Sequence, residues 1–394
     1  MVRKAAIMLL LAVLLILHTS CWSSREVESL AFVMALGVDA DENGVRLTVQ
    51  VALPAGGAGG GGGQGAERPV WVTSFTAPSL TEGIFNMPAL FGREPFLGHL
   101  QVVIMGQDFA KDGIHQLLDF LARERQVRDT IRLAVAVDKA EDILLVEPKV
   151  VQMPADYMVE LLKQGERTGM IPPSEFLRTR QAWHNRPRLQ IILPLLQPLE
   201  ETEEESPAVA PEEKPPAEAE KKPEALLLKG SAVFRDDRLV GLLDTTESRG
   251  LAWLMGSVKN TIISIPREEG AITQHANFAS VKFRMRKAAN GARLTAVVSQ
   301  DGNLTQWPLR EQGITYPLLK QFERVLVQQI ETEIRASLKA IQEVYQVDVI
   351  GIGEQLRRHA PEQFAALKWE EAFPHFVLAL EVRASFRRIG LVFR

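Results

Sequence analysis

One stretch near the middle of the chain cannot pack, and it dictates how the rest must fold. Residues 200–224 (EETEEESPAVAPEEKPPAEAEKKPE) carry ten Glu and three Lys, and six prolines lie in 198–223. Proline removes backbone donors and clashes with helical turns, and the like charges repel, so neither a helix nor a core forms there. Residues 199–225 therefore read as an acidic Pro/Glu/Lys linker or a long solvent-exposed insert. It leaves two blocks, 21–198 and 226–394, each of which must bury its own apolar faces. Hydrophobic residue types make up 46% of the 394 residues and charged types 24%, which excludes disorder throughout. The formal net charge of −4 is smaller than the Glu excess of the acidic stretch alone. The folded blocks are thus near neutral, without the basic stripe of a nucleic-acid binder, and no nucleic-acid partner is expected.

Residues 1–20 read as a signal peptide. Arg3 and Lys4 precede an unbroken apolar run, Ala5–Leu17, which is short of the ~20 residues that span a bilayer. His18, Thr19 and Ser20 lead to Cys21, the one cysteine of the chain. A single cysteine excludes a disulfide framework and a Cys-rich metal site. Its position resembles a bacterial lipobox, whose cysteine carries diacylglycerol through a thioether and becomes the new N-terminus. The residue three before it is His18, where an aliphatic residue is usual. Cys21 is the candidate lipid-attachment site. A cleaved signal with an incidental cysteine and an uncleaved anchor helix are the other readings of the same residues.

Alternation of apolar and polar residues over Leu30–Val38 and Val45–Leu53 predicts a half-buried β-hairpin. A Gly-rich loop follows at 54–67, with eight glycines and no Lys-Ser/Thr, so it is not a phosphate loop. The first block continues with a strand at Val70–Thr76, a helix at Ser79–Phe91, a buried strand at Phe96–Met105 and one amphipathic helix over Gln107–Arg128. A strand at Ile131–Val137, helices around 140–147, 154–167 and 173–183, and a strand at Leu189–Leu196 complete it. The second block opens with two strands about an Arg235-Asp236-Asp237 turn, then a helix capped by Asp244 and ending at Met255. Strands are expected at 261–265, 278–287 and 292–300, the last two joined through Asn290-Gly291. A long helix, about 316–345, carries Phe322, Leu326, Ile330, Ile334, Leu338 and Ile341 in one stripe. That stripe is read as packed across a sheet rather than as a coiled coil. Short helices around 350–358 and 361–371 lead to a final strand, with Phe376, Leu378, Leu380, Val382, Ala384 and Phe386 on one face. Strands and helices mix without strict βαβ alternation, so the fold class is α+β, multidomain, with helices packed on mixed sheets.

No constellation for catalysis or metal binding is visible. Asp39-x-Asp41-x-Asn43-Gly44 matches the opening of a calcium loop, but its twelfth position is Gln50 and its flanks alternate with period two. A hairpin turn explains the same residues. None of the seven histidines forms HExxH or an i, i+4 pair, and His99 reads as a structural histidine within a strand. G-x-S-x-G and Ser-x-x-Lys are both lacking. No catalytic residue, cofactor or metal is expected, and the protein is read as a non-enzyme.

Four stretches then resemble one family. CWSSREVESLA (21–31) is similar to a CW-x-x-RE-x-x-x-LA start, and the segment opening Gly92-Arg93 and reaching Gly98-His99 to a GR-x-x-x-x-GH block. Gly230, Ala232, Phe234, Leu239 and Gly241 match G-x-A-x-F-x-x-x-x-L-x-G. Asp348, Gly351, Gly353 and Glu354, with the later Trp369, match a D-x-x-G-x-G-E helix block. In this order they resemble the Ger(x)C lipoproteins, the C subunits of bacterial spore germinant receptors. The resemblance implies a mixed three-domain assembly and a non-catalytic, lipid-anchored receptor subunit required for spore germination. It would sit on the outer face of the spore inner membrane, held by diacylglycerol at Cys21. Its implied partners are an A-type subunit with membrane helices and a B-type subunit resembling an amino-acid transporter. The alternative is a solute-binding lipoprotein of an uptake system, but the antiparallel hairpins do not suit two βαβ-rich lobes. An exported hydrolase is disfavoured by the missing nucleophile and metal motifs.

Overall fold

The structure is a computed structural model; it describes residues 3–5, 8, 29–52, 70–149, 151–199, 223–268, 270–288, 291–307 and 314–388. Cys21, the Gly-rich 54–67 and most of the acidic stretch lie outside the described residues.

Nine strands form the first sheet: β1 (Leu30–Asp41), β2 (Gly44–Ala52), β3 (Val70–Ala77), β4 (Glu94–Phe96), β5 (Val102–Met105), β6 (Arg132–Ala136), β7 (Ile192–Pro198), β8 (Leu226–Arg235) and β9 (Arg238–Leu243). Their order is β3-β2-β1-β5-β6-β7-β8-β9, with β4 also paired to β1. β1, β5, β6 and β7 run parallel, while the hairpins β2–β3 and β8–β9 flank them antiparallel. The central strands are covered on both faces: Val33 and Val38 of β1 join one apolar cluster and Ala35 another. The hairpin expected to be half-buried is therefore buried on both sides along β1. That is the usual condition of strands in a parallel layer between helices.

Helix α1 (Leu80–Phe91) starts at Ser79, whose hydroxyl accepts from the Glu82 N–H. Two elements differ from the sequence expectation. The strand expected over Phe96–Met105 is interrupted by a 3-10 turn at Leu97–His99. Both its halves pair with β1: Phe32 faces Phe96, and Ala35 faces Val102. Residues 97–101 thus occupy the length of residues 33–34, and the turn takes up the excess. The single helix expected over Gln107–Arg128 is two, α2 (Gln107–Asp112) and α3 (His115–Arg123). Gly113 has φ +128, and the Ile114 N–H donates to Asp237 O of the β8–β9 turn at 2.9 Å, so a tertiary bond redirects the chain there. Helices α4 (Ala140–Leu144), α5 (Pro154–Thr168) and α6 (Phe176–Asn185) follow.

β7 and β8 are antiparallel neighbours, with Leu193 facing Ala232, and the Leu199 N–H donates to Ala225 O at 2.9 Å. The acidic stretch is thus inserted inside a hairpin, and β8 and β9 extend the first sheet beyond it. Helix α7 (Thr245–Met255) carries a capping box in which Asp244 and Glu247 each accept the other's N–H. The second sheet has the order β10-β11-β12-β13, formed by β10 (Thr261–Arg267), β11 (Gly270–Ala288), β12 (Gly291–Gln306) and β13 (Ala379–Arg388). Helix α8 (Tyr316–Lys339) lays Phe322, Leu326, Ile330, Ile334 and Leu338 onto its inner face, and α7 packs in the same cluster. This is a helix across a sheet, as the stripe predicts. A π-turn at Ala340–Val344 ends the long helix, and the Tyr345 hydroxyl donates to Leu242 O of β9 at 2.8 Å. The helices α9 (Ile352–His359), α10 (Pro361–Ala365) and α11 (Trp369–Ala372) precede β13. The architecture is α+β.

Candidate functional site

The Asp348-to-Glu354 block sits where the second half of the chain meets the first sheet. Asp348 is buried, and its carboxylate closes the turn that starts α9. Oδ1 accepts from Gly351 N at 2.7 Å and Ile352 N at 3.0 Å; Oδ2 accepts from Gly353 N at 2.7 Å and from Trp369 Nε1 at 3.1 Å. Both glycines are required. Gly351 holds φ +84, and a Cβ on Gly353 would lie 2.5 Å from Trp369 Nε1. Burial pushes the Asp348 carboxyl up to about 6, against the pull of its N–H donors. Its carbonyl accepts from Gln190 N at 2.7 Å, and the Gln190 side chain accepts from Asp236 N at 2.9 Å. One residue thereby ties α9, α11 and the approach to β7 together.

Glu354 fixes the same junction by charge. It receives two bonds from Arg357 and one from Arg358, one turn along its own helix, and Arg188 Nε lies 3.2 Å from its Oε2. The Arg357 guanidinium, helped by Arg358, holds the Glu354 carboxyl down to about 2. Trp369 is 4% exposed and packs its ring against Phe364, Phe373 and Phe376.

Beside this junction lies a cavity of about 510 Å³, lined by Pro187, Gln190, Arg235, Gln346, Val347, Asp348, Trp369, Glu370, Glu371, Phe373, Pro374 and His375. Its wall presents a guanidinium, carboxylates and aromatic edges, and no hydroxyl or thiol nucleophile. Gln346 on this wall has φ 54, in the left-handed region that a non-glycine residue occupies at some cost. Arg235 donates to Tyr345 O at 2.8 Å.

The other sequence candidates fall elsewhere. His99 belongs to the 3-10 turn rather than a strand, with its ring 5.3 Å from that of Phe32. Asp39 caps α4, accepting from Ala140 N at 2.7 Å and Glu141 N at 3.0 Å, while Asp41 accepts from Asn43 N at 3.0 Å inside the turn. The first carboxylate holds a helix N-terminus and the second the hairpin turn. Among the described residues no group of three or more His, Cys, Asp and Glu is placed to hold a metal ion. Gly230, Ala232 and Phe234 lie on β8, and a Cβ on Gly241 of β9 would overlap the Tyr345 ring.

Two buried ionic clusters escaped the sequence reading. Glu333 of α8, 2% exposed, accepts from Arg249 Nε at 2.9 Å, again from Arg249 Nη2, and from Trp253 Nε1 at 2.8 Å. Its only local signal is a carboxylate beside an apolar stripe. Arg132 of β6 binds Glu166 and donates to Ser174 Oγ at 2.7 Å; no spacing joins those residues.

Comparison with known proteins bears on this junction and on both halves. Residues 23–198 match the family described as spore germination protein N-terminal domain, and residues 229–390 match the spore germination B3/GerAC-like C-terminal family. Spore germination protein KC of Bacillus subtilis (strain 168) is 27% identical over 408 aligned residues, covering 99% of this chain and 97% of that protein. Spore germination protein B3 of the same organism is 22% identical, covering 94% of each. The crystal structure of the GerBC protein has a TM-score of 0.56 at 16% identity, covering 90% of this chain and 97% of that one, a likeness of fold. With both domain families matched in order across the described folds, this chain belongs to the Ger(x)C family of spore germination proteins.

Proposed function

We propose that the protein is the lipid-anchored, non-catalytic subunit of a nutrient germinant receptor and is required for spore germination. A germination role follows from relatives that match end to end and are spore germination proteins. The observation that carries the finer reading is the ordered match of both family domains behind the apolar run Ala5–Leu17 and Cys21. Attachment to the outer face of the inner spore membrane would come from diacylglycerol on Cys21. Among the described residues no helix is long and apolar enough to cross a bilayer. The partners in this reading are the A-type and B-type membrane subunits. A non-catalytic role is supported by Asp348 and Glu354, the carboxylates of the family block, which are engaged in holding backbone and guanidinium groups.

The test is genetic. Deleting the gene in the native host should abolish or slow germination with at least one nutrient, and Cys21→Ala should release the protein from the membrane fraction and reproduce the defect. Unchanged germination with every nutrient overturns the receptor reading. A Cys21→Ala protein that stays membrane-bound at full length overturns the lipid anchor.

A further inference from the structure

We propose that the end of the first sheet where its parallel strands begin is a docking face for an anionic phospholipid surface. Two neighbouring concavities open there, of about 370 and 320 Å³, and Glu175 lines both. Arg128 and Lys163 line the first; Arg167, Arg178 and Lys259 line the second. All five are exposed. Arg128, Arg167, Arg178 and Lys259 make no ion pair with any other described residue, and Lys163 comes only to 3.9 Å of Glu160.

The carboxylates lining these concavities do not cancel that charge. Glu166 and Glu175 both face Arg132, whose side chain is 9% exposed, and Glu166 also accepts from Ser174 N and Oγ. The five outer cations and Arg132 thus stand against Glu166, Glu175 and, 3.9 Å from Lys163, Glu160, which leaves an excess of positive charge at this end. Two exposed apolar residues neighbour these cations along the chain, Met170 (39% exposed) three residues after Arg167 and Leu177 (36%) beside Arg178. Cations interleaved with exposed apolar groups match a headgroup layer over its acyl boundary.

Orientation argues for a membrane rather than a soluble anion. His99 lines the first concavity and packs on Phe32 near the start of β1. Cys21 stands nine residues before Leu30, so an extended chain places a lipid on Cys21 within about 30 Å of this face. In that respect the inference rests on the proposed anchor, and the test is built without it.

The chain from residue 21 with Cys21→Ser, which has no lipid, is mixed with vesicles of phosphatidylcholine alone or with about one-third phosphatidylglycerol, and co-sedimentation is followed against salt. Binding to the anionic vesicles alone, weakening as salt rises, is expected. Combining Arg128→Gln, Lys163→Gln, Arg167→Gln and Arg178→Gln should weaken binding at least about tenfold. Lys111→Gln with Lys139→Gln, at the opposite end of the parallel strands, should leave it within about twofold. Equal binding to neutral vesicles, no binding to anionic ones, or full binding by the fourfold variant overturns the proposal. So does complete displacement by millimolar inorganic phosphate at constant ionic strength, which would mark a soluble-anion site. If circular dichroism shows the fourfold variant unfolded, Arg167→Glu and Arg178→Glu singly carry the comparison. Mass spectrometry of Cys21 in the native protein reports separately on the anchor, so failure of one reading leaves the other standing.

Discussion

Asp348 and Glu354 lie six residues apart in one motif and respond to pH in opposite senses. The Asp348 carboxyl rises from 3.8 to about 6 in the fold, so the folded state holds that proton more tightly than the unfolded chain. Its contribution to stability is greatest below about pH 4 and falls away as pH rises to about 6. Glu354 is held near 2 against 4.5, so its contribution is complete above about pH 4.5 and is lost as pH falls toward 2. Melting temperatures measured from pH 7 to pH 3 in the parent, Asp348→Asn and Glu354→Gln should separate the two. Asp348→Asn should remove the decline between about pH 4 and 6, and Glu354→Gln should flatten the acid limb below about pH 4.5. An Asp348→Asn profile parallel to the parent's would refute the assignment. The residues of this motif were legible in the sequence, but their work was not. Asp348 needs Trp369 and the turn amides, and Glu354 needs Arg188, and the fold alone assembles that set.

Elements whose signals are local were read correctly. The helix Thr245–Met255 follows from the Asp244 cap, and the β8–β9 hairpin from the Arg235-Asp236-Asp237 turn. Where a long-range bond intervened, the reading failed: Gly113 splits a helix because Ile114 is bonded to Asp237. α8 shows both cases. Its stripe predicts the packed face, yet Glu333 inside that face is explained by Arg249 and Trp253 of α7, 84 and 80 residues earlier, with Gln329 of its own helix adding a bond at 3.0 Å. Glu333→Ala leaves a guanidinium and an indole N–H without their acceptor and should cost about 3–5 kcal/mol. Glu331→Ala on the same helix should cost within about 0.5 kcal/mol. Urea unfolding of both variants checks the contrast, and equal midpoints would show that the cluster does not tie α7 to α8.

For the molecule as a whole, the acidic stretch interrupts the chain without interrupting the sheet. Because β7 and β8 are paired, replacing residues 200–222 with about five Gly/Ser residues should keep the fold and raise stability by about 1 kcal/mol through a shorter loop closure. Circular dichroism and thermal melting would show it; loss of the folded signal would mean that the stretch contributes packing of its own. The sequence by itself determined the α+β class, the position of the acidic stretch, the family blocks and the single cysteine at position 21. These depend on composition, short periodicities and residues adjacent along the chain. Only the tertiary structure decided that one nine-stranded sheet crosses the acidic stretch, that Asp348 joins the two halves beside a cavity, and that five cations share one end. Strand order and charge clustering depend on residues far apart in the chain, and no local spacing records which of them will meet.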